Sequence, residues 1–81
     1  MEEEIKYLKD MMNSCFAYGG VDINHYYYKR YILPYKKILG KKLYTKIYEE
    51  HKNYLINTYS VEYNVYTDND GLTYNSLKKI K

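Results

Sequence analysis

Apolar residues near the start of the chain recur at three- and four-residue spacing. Ile5, Leu8, Met12, Cys15 and Phe16 fall on one face of a helix, which the spacing predicts over residues 2–18. Glu2, Glu3 and Glu4 stand at its N-terminal end, where negative charge is favoured, and Gly19-Gly20 can close its C-terminal end. A second helix is expected over 22–39, with Asp22 as N-cap and Ile23, Tyr27, Tyr28, Tyr31 and Ile32 facing inward. Pro34 should break or kink it, because proline lacks a backbone donor and disfavours helix at the residue before it. Gly40 reads as the next cap. The strongest helical pattern is 41–59, where Tyr44, Ile47, Tyr48, His51, Leu55 and Tyr59 make one stripe bordered by Leu43 and Tyr54. Lys42, Lys46, Glu49, Glu50, Lys52 and Asn53 make the solvated face opposite.

The period then changes from 3.6 to 2. Val61, Tyr63 and Val65 alternate with Glu62, Asn64 and Tyr66, "TDNDG" is turn chemistry, and "LTYNSL" can return as a strand. A β-hairpin over 61–75 is expected, followed by a basic tail at 76–81. The fold class is therefore α+β: two or three helices packed with a C-terminal hairpin in a single small domain, 1–81. An all-α bundle with an irregular tail is the alternative.

A chain of 81 residues buries only about 60–65% of its unfolded surface, so a homodimer is expected as a way to add buried area. Cys15 is the only cysteine, which excludes an internal disulfide and points to a reducing, cytoplasmic location. No apolar run approaches the roughly 20 residues that cross a bilayer. "MEEEIKYLKDMM" is acidic where a signal peptide would be basic. No membrane partner is expected.

Lys, Tyr, Asn and Ile supply 40 of the 81 residues, with Arg once and Trp never. These four amino acids have the most A/T-rich codons, so an AT-rich genome would enrich them without any functional demand. Charge placement is a different matter. Residues 1–22 carry −3, residues 23–48 carry +7 with no acid, residues 49–76 carry −4, and the tail restores +3. A basic middle lies between acidic flanks.

Candidate chemistry is sparse. Aligning an EF-hand loop on Gly71 puts Tyr66 at the first ligand position and Leu77 at the twelfth, so "TDNDG" reads as a turn with no calcium. Cys15, His25 and His51 lack the short spacings of zinc motifs. Cys15 continues an apolar stripe, where packing explains it better than nucleophilic chemistry. There is no P-loop, GxSxG or GxGxxG. Neither enzymatic chemistry nor a cofactor or metal is expected.

"HYYYKRYILPYKK", His25 to Lys37, is the richest stretch, since single-strand binders combine stacking aromatics with a positive groove. Three consecutive tyrosines on a helix fan over about 200°, so they cannot share a face. Tyr27, Tyr28 and Tyr31 are expected to pack inward, leaving Tyr26 exposed. The candidate partner-binding residues are Tyr26, Lys29, Arg30, Lys36, Lys37, Lys41, Lys42 and Lys46, with the cations meeting near Gly40. Such a patch suits phosphate or an acidic protein surface.

Over Leu39 to Leu77, "LGKKLYTKIYEEHKNYL" followed by "VEYNVYTDNDGLTYNSL" resembles small accessory proteins of phages and prophages of low-GC Gram-positive bacteria. The class includes anti-CRISPR and other anti-defence inhibitors. The resemblance implies a short, cytosolic, non-enzymatic protein that binds host machinery, such as a CRISPR–Cas component, and blocks its nucleic-acid binding or assembly. It carries no active-site residues across. A small nucleic-acid-binding regulator and a structural or virion-assembly protein are the alternatives.

Overall fold

Helix α1 (Glu2–Ala17) buries the predicted stripe: Leu8, Met12 and Cys15 are buried, with Ile5 and Phe16 packed against them. The structure, a computed structural model, describes residues 2–80. Two backbone bonds close α1: Gly20 N–H to Cys15 O (2.7 Å) and Gly19 N–H to Phe16 O (3.1 Å), with Gly19 at φ +74°. This pairing satisfies carbonyls that the helix itself leaves open. Gly20 has a further duty, because a Cβ there would lie 2.6 Å from the Cβ of Tyr27. Gly20→Ala is expected to cost about 1–3 kcal/mol, as overpacking does. A drop in urea midpoint with an unchanged slope would register it; an unchanged midpoint would contradict the close approach.

The segment after Gly20 departs from the expected helix. Asp22 accepts a bond from Asn24 N–H (3.2 Å) and so caps only a turn, and helical winding begins at Tyr26. Residues Tyr28–Ile32 then form a π-helical turn, in which Leu33 N–H bonds Tyr28 O (2.8 Å). Pro34 follows directly. A proline ring clashes with the carbonyl four residues back and has no N–H to give, and the wider i→i+5 turn relieves both problems. Leu33 and Pro34 thus stay helical in φ and ψ, and α2 (Tyr35–Leu39) resumes at once.

The late start of the helix and the widened turn together correct the predicted inner face. Tyr28 (8% exposed) and Ile32 are buried, but Tyr31 is 39% exposed, Ile23 is 55% exposed and Tyr27 is half-buried. The 3.6-residue period does not apply across a π turn, which moves Tyr31 outward.

Helix α3 (Lys41–Thr58) starts from Gly40 without a side-chain cap. Gly40 sits at φ 87°, ψ 148°, close to a region that only glycine occupies readily. Tyr44, Tyr48 and Leu55 of α3 enter the core against α1, while Leu43 and Ile47 border it. The buried tyrosines bring their hydroxyls' needs with them. Tyr44 donates to the Tyr28 hydroxyl (2.7 Å), and Tyr48 donates to the Val21 carbonyl. Burial pushes the Tyr48 phenol up to about 12 and raises Tyr44 as well. Ring contacts between Tyr44 and Tyr48 (5.8 Å) and Tyr28 and Tyr48 (5.3 Å) complete an aromatic core.

The chain passes from α3 straight into β1 (Tyr59–Thr67), which pairs antiparallel with β2 (Thr73–Lys79) as a two-stranded sheet. The fold is therefore α+β. The hairpin is longer than the alternation predicts, and β2 takes up Ser76–Lys79, residues assigned to a basic tail. Lys78 lies opposite Ser60 and 3.7 Å from the Glu62 carboxylate. Lys81 of that tail lies outside the described residues. The expected half-buried face is also shorter than predicted. Val61 is half-buried opposite Leu77, which packs on the core, but Tyr63 (73% exposed), Val65 and Tyr66 are solvated.

A bulge explains this, since pairing is lost between Glu62 and Tyr66, where Asn64 takes φ 56°. The Asn75 side chain accepts from Asn64 N–H (3.1 Å) and donates to Ala17 O (2.8 Å), and the Tyr18 hydroxyl accepts from Asn75 N–H (3.3 Å). One asparagine thus ties the bulge to the end of α1.

Candidate macromolecule-binding face

All eight candidate residues are exposed, and their placement follows from the elements just described. Lys29 and Arg30 occupy the π turn, whose neighbours Tyr28 and Ile32 point into the core. Lys36 and Lys37 lie on α2, with Leu39 buried beneath them. Lys41 and Lys42 form the first turn of α3 and Lys46 follows one turn on. Among the described residues, no acidic side chain forms an ion pair with any of these seven cations.

Contacts tie these residues into two groups. Arg30 donates to the Tyr26 hydroxyl (3.2 Å), and its guanidinium stands 5.5 Å from the centre of the Tyr31 ring. The contacts with Tyr31 and then with Tyr26 push the Arg30 pKa up. At the Gly40 corner, Lys42 and Lys46 flank a hollow of about 440 Å³ floored by Leu39, Gly40 and Leu43. The Lys36 carbonyl accepts Gly40 N–H (3.0 Å), which joins α2 to that corner.

Lys41 and Lys42 occupy a helix N-terminus, the end where the backbone dipole is already positive. Such a placement works against helix stability by a few tenths of a kcal/mol or more per charge. It also adds to the positive field an approaching anion would meet.

The other polar surface is a groove of about 680 Å³ between α1, α3 and the hairpin. His51 stands in its wall. The sequence stripe places His51 in apolar surroundings, and the structure corrects this. It is half-buried, 2.8 Å from Asn13 Oδ1, stacked on Tyr54 and bordered by Lys9 and Asp10. Burial first, then the Lys9 charge, lowers its pKa below the ordinary imidazole value, against the pull of Asp10. An unfolded His51 therefore takes its proton at higher pH than the folded one. Its contribution to stability is present above about pH 6.5 and is lost as the pH falls below that. Melting temperature should drop between about pH 7 and 5, and His51→Gln should flatten that part of the curve. An equal slope in the variant would contradict the assignment.

The remaining metal-ligand candidates have other partners. The His25 Nδ1 accepts Tyr27 N–H (3.0 Å), and Cys15 is buried with its thiol pKa raised by burial. At the hairpin tip, Gly71 takes φ 82° and the Asp68 carboxylate accepts bonds from Asp70 N–H, Leu72 N–H and the Tyr74 hydroxyl. These bonds, the Tyr74 one first, hold the Asp68 pKa below its usual value. Among the described residues no group of three His, Cys, Asp or Glu is placed to hold a metal. Millimolar calcium should leave the melting temperature unchanged; a stoichiometric calorimetric signal would overturn the turn assignment.

Two residues escaped the sequence reasoning. Asn75 looked like one more polar residue in a strand, and only a bulge opposite it makes it a tether. Tyr31 looked like core, although Pro34 three residues on was a signal that the helical period would fail. Among the described residues, no helix is long and apolar enough to cross a membrane. Comparison with family models, curated proteins and solved structures returns no match to this chain. What fold and surface define is a small tyrosine-rich α+β domain with seven exposed cations on the π turn, α2 and the first turns of α3.

Proposed function

We propose that this protein is a non-enzymatic inhibitor of phage type, acting in the cytoplasm of a bacterial host. It docks its cationic face on a host defence protein or ribonucleoprotein such as a CRISPR–Cas component. The observation that supports this reading is the run of seven exposed cations without an acidic partner among the described residues. A lysine-rich solvated rim needs no such one-sidedness, and residues 23–48 contain no acid at all.

The electrostatics refine the mode of action. A channel that holds nucleic acid is itself positive and would repel this face, since like-charge juxtaposition costs several kcal/mol. The face suits an acidic assembly surface or the phosphates of bound RNA. Blocking therefore proceeds by obstructing assembly or covering the nucleic acid, and not by imitating it.

Homodimerisation is part of the proposal, since a chain of this size buries only about 60–65% of its unfolded surface alone.

Direct binding of single-stranded nucleic acid is the second reading, favoured by Tyr26 (61% exposed) and Tyr31 beside Lys29 and Arg30. Affinity capture from an AT-rich Gram-positive lysate, with and without nuclease, separates the two. The inhibitor reading expects a protein partner that survives nuclease treatment. Recovery of nucleic acid alone would contradict it.

A further inference from the structure

Between α1 and the π turn lies a hollow of about 270 Å³, lined by Met11, Ser14, Cys15, Tyr18, Tyr27 and Tyr31. Its walls are held from behind. The Tyr27 Cβ would touch any side chain at position 20, its N–H is bonded to His25, and its ring contacts those of His25 (5.1 Å) and Tyr31 (5.9 Å). The Tyr18 hydroxyl is engaged by Asn75 N–H. A cavity whose walls are already ordered costs a ligand little to organise.

The hollow is also continuous with the cationic face. Tyr31 belongs to both: one part of its ring lines the cavity, and the Arg30 guanidinium stands over its face at 5.5 Å. The π turn is what puts it there. Asp10, next in sequence to Met11, lines the groove between α1, α3 and the hairpin instead, so no acid lines this cavity.

We infer that this hollow receives one bulky apolar side chain of an acidic partner segment whose carboxylates meet Arg30 and Lys29. The inference rests on the reading of the cationic face as a docking surface. An apolar anchor in an ordered pocket, ringed by polar contacts, is the arrangement in which binding energy concentrates. Ser14 is the only non-aromatic polar side chain in the lining. A nucleobase placed there would lose water from its hydrogen-bonding edge for little return, whereas a leucine or phenylalanine would not.

The test uses two synthetic probes, a polyglutamate peptide with a single central leucine and its twin with serine in that place. The leucine peptide should bind the intact protein roughly tenfold or more tightly than its twin. It should also shift the backbone amide resonances of Ser14 and Tyr31, which line the hollow. Ser14→Leu, which fills the hollow, should remove the advantage of the leucine peptide. Equal binding of the two peptides would overturn the hollow as a site and leave the cationic face standing. Binding of neither would count against the face itself, and the inference would fall with it. Shifts of those amide resonances by oligothymidylate but not by the leucine peptide would reassign the site to nucleic acid.

Discussion

Replacing Lys36, Lys37, Lys41 and Lys42 together by glutamate is expected to abolish partner binding, by roughly a hundredfold or more, while leaving the fold in place. Four replacements that each change the charge by two take the chain from +3 to −5. All four side chains are exposed, so no core contact is lost. The helix dipoles make the stability effect small. Lys36 and Lys37 lie in the last turn of α2, where glutamate is unfavourable, and Lys41 and Lys42 lie in the first turn of α3, where it is favourable. Each such charge is worth about 0.3–1 kcal/mol, and the two pairs oppose one another. Far-UV circular dichroism and a thermal melt check the fold, and affinity capture checks the binding. Retained binding by the folded variant would remove these lysines from the interface.

Leu55→Ala is expected to produce the largest loss of stability among single changes, about 2–5 kcal/mol. Leu55 is 0% exposed on α3 and belongs to the core cluster with Leu8, Met12 and Ile32. It shares the buried stripe of α3 with Tyr44 and Tyr48, so truncating it removes apolar contacts from the core. A domain of this size commands only about 4–12 kcal/mol in total. The melting temperature should therefore fall by about 10–30 °C. A shift of a degree or two would sink the assignment of Leu55 to the core. Tyr31→Ala, by contrast, should lower the melting temperature less than Leu55→Ala, since its ring is 39% exposed and lies outside the core cluster.

The residues that were legible in the sequence are those whose environment repeats with the local period. Leu8, Met12 and Cys15 on α1 and Tyr44, Tyr48 and Leu55 on α3 follow the helical stripe, and each is buried. Gly19-Gly20 marked an end because a chain reversal needs that backbone geometry. The period fails where the backbone changes class. The π turn before Pro34 sends Tyr31 outward, and the bulge at Asn64 interrupts an alternation that looked unbroken from Val61 to Tyr66. The π turn adds one residue to a helical turn and the bulge sets three residues against one; Pro34 signals the first, and nothing local signals the second. The lysines were legible as a charge block, and their exposure follows from the same stripes. Asn75 depends on an encounter with Ala17 across 58 positions of chain, which no local pattern encodes.

The central claim is that exposed cations on the π turn, α2 and the start of α3 carry the binding. It is tested most directly by the salt dependence of the dissociation constant for the captured partner, between about 50 and 200 mM salt. Log affinity should fall steeply and linearly with log salt, with a slope shallower by about one when Lys42 is changed to glutamine and the group it meets is a phosphate. A flat line, with affinity lost instead on changing Tyr26 or Tyr31, would contradict it.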